Sequence, residues 1–423
     1  MEDGKVVTAM PEANEEATIP GALRGPPGAG RSVEAITLGV EEEFVLLDPS
    51  SGAAVPAGPD LVRMLAGEPG VEQELMRFQV ETGTRVCTGL DDVGADLVRL
   101  RRLVADAAER LGCRLVASGI APFRTPERAV VTDQPRYRRL AQHFGALLSY
   151  SGGTCGCHVH VGVPSRDLGV QVLGRLRPWL AALLAITVNS PISGGRDTTW
   201  ASWRYPVWSC WPTAAPPAVW PDAAAYDAGV RLLIDQGAAL DEQGVYLFAR
   251  LSTRYPTVEV RVADVCLDAD TALLLAGLTR ALVATALAEA RRGTAVAAAP
   301  WAGAALTAAA RHGLSGAGID PLTGQTVGAR SVRCRLLDHV GAALADSGDA
   351  ETIGWLLHRL DHRGTGADRQ RALFAGAASV PEFVEALARA TLSGDELALG
   401  HHPAAGSGPP PAHPAPLWAE RVR

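Results

Sequence analysis

The chain has 423 residues, 47% of them hydrophobic, and a formal net charge of −7. That balance supports a large buried core and excludes a disordered or collagen-like polypeptide, leaving one large domain or two ordinary ones. It also excludes a nucleic-acid footprint, because the basic residues are dispersed and their densest cluster, Arg99, Arg101 and Arg102, lies on a helix-like segment with acids nearby.

No stretch approaches ~18 consecutive charge-free apolar residues, so no membrane span is expected. The opening MEDGKVVTAMPEANEEA has no apolar segment after its lysine, so a signal peptide is not expected either. Seven cysteines, an odd number scattered along the chain, predict reduced thiols rather than a disulfide framework. The expectation is a cytoplasmic protein acting on small molecules, with no nucleic-acid or membrane partner; homo-oligomerisation is left open.

Residues 1–33 are rich in Gly, Pro, Ala and Glu without periodicity, and residues 396–423, ending HHPAAGSGPPPAHPAPLWAERVR, share that character. Both read as flexible tails around a folded domain of residues 34–395, which contains no fixed-period repeat. The first element is ITLGVEEEFVLLD. On a strand, Glu41 and Glu43 share one face, about 7 Å apart, while Val40, Glu42 and Phe44 take the other. MRFQVETG repeats the pattern, with Met76, Phe78 and Val80 opposite Arg77, Gln79 and Glu81. Asp91 or Asp92 then caps a helix through LVRLRRLVADAAER that stops near Gly112, before a strand in CRLVASG. In CHVHVGV, His158 and His160 oppose Cys157, Val159 and Val161. In TVEVRVADV, Glu259 and Arg261 oppose Val258, Val260 and Val262. Beyond Ala269 the chain turns Ala- and Leu-rich at helical spacing, so the fold class is α+β with the sheet in the first half.

An acidic run on one strand is most simply a solvated edge, but the ITLGV and FVLL flanks are too apolar for one. Four strands that bury one face and present acids, imidazoles or a guanidinium on the other point to a concave functional sheet face. If those faces converge, Glu41, Glu43, Glu81 and Glu259 supply hard oxygen ligands suited to Mg²⁺ or Mn²⁺. Without cations such carboxylates repel one another. CGCHVH offers a zinc reading through Cys155, Cys157, His158 and His160. Against it, Cys157 projects away from the histidines, and the spacing lacks the two-residue gap of a zinc knuckle. Two satisfied polar-face histidines are the simpler structural alternative. Positive charge for a phosphate is available from Arg261 and from Arg196 in SGGRDT. A Walker-type GxxxxGK loop, a dinucleotide fingerprint and a GxSxG elbow are all missing, so bound ATP would be held through metal ions and arginines on a sheet.

The segments GVEEEF, FQVET, CGCHVHVGVP, NSPISGGRDTTWASWR, WPTAAPP and VEVRVADVCLD together resemble the carboxylate-amine ligase family, also called glutamate-cysteine ligase type 2. The resemblance runs from about Thr37 to about Leu392, through RHGL and GTGADRQR. It implies a glutamine-synthetase-like fold, a curved antiparallel sheet forming a funnel with helices packed on its outer face. It also implies that Glu41, Glu43, Glu74, Glu81 and Glu259 bind Mg²⁺, with Mn²⁺ as a substitute, and that Arg261 and Arg196 meet the phosphates of ATP. His158 is similar to a histidine on the family's inner face at the nucleotide. Trp200, Trp203, Arg204 and His160 are expected to shape the substrate pocket.

The activity implied is ATP-dependent coupling of a carboxylate, such as the glutamate γ-carboxylate, to cysteine or another amine. A carboxylate is a poor acylating agent, so attack on the γ-phosphate converts it to an acyl phosphate that the amine displaces. The rivals are a ligase of specialised metabolism acting on a non-glutamate acid, a metal-dependent hydrolase using the acidic face without ATP, and a noncatalytic small-molecule binder.

Overall fold

The computed structural model describes residues 36–123 and 131–394; the expected tails, residues 1–33 and 396–423, lie outside them. The strands are β1 (Leu38–Leu47), β2 (Val71–Gln73), β3 (Gln79–Gly83), β4 (Arg114–Val116), β5 (Gly156–Gly162), a small hairpin of β6 (Ile192–Ser193) and β7 (Arg196–Asp197), β8 (Ala249–Leu251), β9 (Thr257–Asp264) and a separate antiparallel pair, β10 (Ala317–Ile319) and β11 (Thr326–Gly328). A seven-stranded sheet runs in the order β2-β3-β1-β5-β9-β8, with β4 pairing the far end of β1. Its pairings are all antiparallel. The sheet curls: Arg254, in the turn after β8, comes within 4.0 Å of Glu72 on β2, so residues from its two opposite edges meet.

Alternation decides which face is dry. Val40, Phe44, Val80, Val159, Val161, Val258, Val260 and Val262 are buried, and the helices Leu90–Arg110, Arg166–Leu176, Leu180–Thr187 and Ala269–Arg291 cover that side of the sheet. The helix Ala269–Arg291 is long and apolar enough by composition to cross a membrane, with mean hydropathy 1.7, but 78% of that window is buried within the fold. It is a core helix, and its buried Arg280 pairs with Asp349. The seven cysteines are all unpaired.

Three local expectations change. Glu42, on the apolar face of β1, is fully buried, and Arg101 grips its two oxygens at 2.5 and 2.9 Å while donating to the carbonyls of Cys266, Leu267 and Thr391. Arg101 is thus a strut tying the helix Leu90–Arg110 under the sheet rather than one of a helical basic cluster answered by acids nearby in sequence. That helix starts at Leu90 after Gly89, so Asp91 and Asp92 occupy its first turn instead of capping it; there they still face the positive end of the helix dipole. Finally, β3 begins only at Gln79. The Gln79 side chain leaves the polar face: its Oε1 accepts from Met76 N–H at 3.2 Å and its Nε2 donates to the Thr154 carbonyl at 2.9 Å.

Candidate active site

Strand parity brings the ligand-type side chains together. Register sets Glu43 opposite Glu81, Glu41 opposite His158, and His160 opposite Glu259, and directly opposed antiparallel residues share a face. A register shift between Cys157 and Val159 puts His158 in a bulge against β9, which re-aims its side chain. His158 is wedged between the carboxylates, with Nδ1 3.5 Å from Glu41 and Nε2 3.7 Å from Glu43. Gly156 makes room for this. A Cβ there would lie 2.5 Å from the Arg204 guanidinium and 2.8 Å from His158 Nε2, and its N–H donates to Glu43 Oε2 at 2.6 Å.

Two trios result. Ligand atoms of Glu41, His160 and Glu259 lie within 4.8 Å of one another, and so do those of Glu43, Glu74 and Glu81. Two oxygens sharing one Mg²⁺ at about 2.1 Å lie within about 4.2 Å of each other, so small side-chain rotations let either trio hold an ion. His160 fits a ligand role. Its Nδ1 is 3.0 Å from Thr257 Oγ1, and its buried Nε2, without a hydrogen-bond partner among the described residues, faces Glu41 Oε1 at 3.3 Å. A proton on Nδ1 donated to Thr257 leaves the Nε2 lone pair for a metal. His160, expected in the substrate pocket, therefore stands with Glu41 and Glu259. Glu74 enters from the connection between β2 and β3, pinned by Thr132, whose Oγ1 donates to the Glu74 carbonyl at 2.5 Å and whose N–H donates to the Leu75 carbonyl at 2.9 Å. Neither trio contains a cysteine, and Cys157 is buried on the dry side.

The trios differ electrostatically. Burial, then Glu74, pushes the Glu43 carboxyl up to about 8. Burial, then Glu41 and Glu74, raises Glu81 well above the ordinary carboxylate range. Burial also opposes ionised Glu41 and Glu259, but it is outweighed. The imidazoles of His158 and His160 hold Glu41 low, and Arg250 and Arg261 hold Glu259 well below its usual value. Burial, then Arg261, lowers His158 to about 4, so it is neutral at physiological pH. Glu43 and Glu81 therefore hold protons that Glu41 and Glu259 do not.

A pH dependence follows for the metal-free protein. Folded Glu43 and Glu81 keep protons that the unfolded chain releases near 4.5, so stability falls as pH rises from there to about 8. His158 opposes this only below its unfolded value of 6.5. His160, which burial would lower but Glu259 and Glu41 raise, adds to the fall above that value. In chelator, the thermal midpoint should drop between pH 6.5 and about 8, and should drop less in Glu43→Gln. A flat midpoint, unchanged by that substitution, would contradict these assignments.

Among the cations, Arg261 is largely buried beside the first trio. It bonds Glu259 and lies 3.5 Å from His158 Nδ1, and its Nε has no partner among the described residues. Arg204 is only 2% exposed. It stacks 4.5 Å over Trp208 and donates to the carbonyls of Val262 and Arg261, so it is a strut beneath the site rather than an open pocket wall. Arg196 is exposed on β7, and among the described residues no hydrogen bond or ion pair joins it to either trio. Its neighbour Asp197 is gripped by Arg371 at 2.8 and 3.2 Å. Trp200 and Trp203 follow, half-buried and edge-on at 6.1 Å, after Thr199 at φ +67°, a left-handed conformation strained for a β-branched residue.

The sequence profile of glutamate-cysteine ligase family 2 matches residues 37–388. The chain belongs to glutamate-cysteine ligase family 2. It is similar to a protein of Frankia alni provisionally named glutamate–cysteine ligase 2-2, with 43% identity over 382 residues covering 84% of this chain and 97% of that one. A Nocardia farcinica protein provisionally named glutamate–cysteine ligase 2-1 is 44% identical over 367 residues, covering 86% and 95%. The fold is similar to that of the Francisella tularensis glutamate–cysteine ligase solved in complex with AMP, with TM-score 0.61, 14% identity and coverage of 86% and 90%. It is also similar to a bifunctional glutathione synthetase from Pasteurella multocida, with TM-score 0.60 and 14% identity, covering 84% of this chain and 52% of that one. As a member of glutamate-cysteine ligase family 2, the chain is a carboxylate-amine ligase that forms a C–N bond. One side chain of this family member escaped the sequence reading: Arg250, which opposes Glu259 from β8. That strand has three residues, too few for alternation to show.

Proposed function

We propose that this ligase uses Mg²⁺, or Mn²⁺ in its place, and ATP to activate a small acid, the glutamate γ-carboxylate or a similar one, and joins it to cysteine or another small amine. The observation that carries the proposal is two carboxylate-rich trios on one sheet face with Arg261 beside them. An acid or base working alone needs no such density of hard ligands, whereas a nucleotide triphosphate held through divalent ions does. The similarly folded Francisella ligase was solved with AMP, and the seven unpaired cysteines suit a reducing cytoplasm.

The bonds balance as follows. A carboxylate oxygen attacks the γ-phosphorus and ADP leaves; the amine nitrogen then attacks the acyl carbon, phosphate leaves, and the nitrogen gives up a proton. Glu41, His160 and Glu259 would hold one divalent ion and Glu43, Glu74 and Glu81 another. Such ions neutralise phosphate charge and fix the line of attack. Neutral His158 keeps Glu41 and Glu43 apart and directed to separate ions. Arg261 is placed to turn from Glu259 towards the transferring phosphoryl group, where a guanidinium stabilises charge that grows in the transition state. Arg196, exposed on its hairpin, is the second candidate cation, and Trp200 and Trp203 would flank the acid or amine.

A screen that varies acid and amine in turn, following ADP release with Mg²⁺, tests the proposal. ADP release that requires both partners is expected. Cleavage of amides or esters without nucleotide would favour a metal-dependent hydrolase instead.

A further inference from the structure

Glu259 is held from two sides. Arg250, 8% exposed, donates from Nε to Glu259 Oε2 at 2.8 Å and from Nη2 to Oε1 at 3.4 Å. Arg261 takes the same Oε1. The remaining Arg250 nitrogen, Nη1, donates to the carbonyls of Gln243 and Val245 at 2.9 and 3.1 Å. Those carbonyls belong to a turn that Asp241 closes by accepting from Gly244 N–H at 2.9 Å. Asp241 in turn takes two hydrogen bonds from Arg136 at 2.7 and 2.8 Å. Arg136 sits at the start of the helix Pro135–Phe144, next to Tyr137, whose phenol is pushed up by burial and then by Glu74 and Glu81 of the other trio. A continuous polar chain therefore runs from Glu259, through Arg250 and the Asp241–Val245 turn, to the helix beside the second trio.

We infer that Arg250 is the positioning residue for Glu259: by fixing Oε2 it presents Oε1 to the centre shared with Glu41 and His160, and it leaves Arg261 free to exchange Glu259 for phosphate. Without Arg250, Glu259 would turn both oxygens onto Arg261. That withdraws a metal ligand and sequesters the phosphate-binding guanidinium in one movement. Charge alone cannot do this work, because a lysine ammonium is a single point of contact while the planar guanidinium reaches Glu259 and the turn together. Partners that orient a metal ligand typically set affinity or activity by about 10- to 100-fold.

This rests on the metal reading above, and the test separates the two. Mn²⁺ alone is titrated into wild type, Glu259→Gln and Arg250→Lys, with free Mn²⁺ followed by electron paramagnetic resonance. Arg250→Lys should weaken one class of Mn²⁺ site about 10- to 100-fold and leave the other unchanged. In turnover it should lower kcat more than it raises KM for acid or amine. Wild-type Mn²⁺ affinity at both classes in Arg250→Lys, with Glu259→Gln weakened, would overturn the inference alone. Wild-type affinity in Glu259→Gln would overturn the metal reading itself. Should Arg250→Lys fail to fold, Asp241→Asn carries the test, since it loosens the turn from outside the site. The same Mn²⁺ class should weaken by a smaller factor, and unchanged binding would overturn the inference.

Discussion

Arg261→Ala should lower kcat about 10²- to 10³-fold, with the KM values for acid and amine little changed, the scale on which one preorganised donor acts on transition-state charge. The expectation comes from position. Arg261 is largely buried next to a trio of ligands, bonded to Glu259, with an Nε that has no partner among the described residues. Loss of the side chain leaves Glu259 to Arg250 alone, which still compensates its charge, so the fold should persist. Arg261→Lys should recover only part of the rate, because a single ammonium cannot span Glu259 and phosphate. Wild-type turnover in a folded Arg261→Ala protein would remove this residue from the chemistry.

Glu41→Gln and Glu43→Gln take one ligand from each trio, and together they should abolish the rise in melting point that Mg²⁺ and ATP give the wild type. A ligand at 100 times its Kd stabilises the folded state by about 2.7 kcal/mol through mass action, and a protein that cannot bind it gains nothing. In the absence of metal the two substitutions should act in opposite directions. Glu43 is destabilised as an anion by burial and Glu74, so neutralising it at pH 8 should raise the melting point. Glu41 is held ionised by His158 and His160, against the cost of burial, so neutralising it should lower the melting point. A double variant with the full wild-type shift and wild-type ligase rates would show that this strand does not hold the metal.

The facing of Glu41, Glu43, Glu81, His158, Glu259 and Arg261 was legible because period-2 alternation survives in every strand long enough to show it. Their meeting on one concave face was expected from the shared character of the four strands, but the grouping within it was not. It depends on register, on the curl of the sheet and on a bulge at His158. His160 was read as a substrate residue because parity gives it the same face as His158 without saying which carboxylate it meets; the register against Glu259 decides that. Parity put Glu42 on the apolar face of β1 and periodicity put Arg101 on a helix, but not their pairing, because the two lie far apart in sequence. Glu74 sits in a connection where alternation says nothing, and only family resemblance pointed to it. Arg204 resembled a pocket residue by its place after two tryptophans, but the carbonyls of β9 claim its guanidinium.

Transfer of oxygen from the acid to phosphate tests the proposed chemistry most directly. With the acid and amine found by the ADP screen, an acid labelled with ¹⁸O in both carboxyl oxygens is turned over once, and the products are read by mass spectrometry. Passage through an acyl phosphate should place one ¹⁸O in inorganic phosphate and leave the other in the amide. Unlabelled phosphate, or label appearing in AMP instead, would contradict activation of the carboxylate at the γ-phosphate.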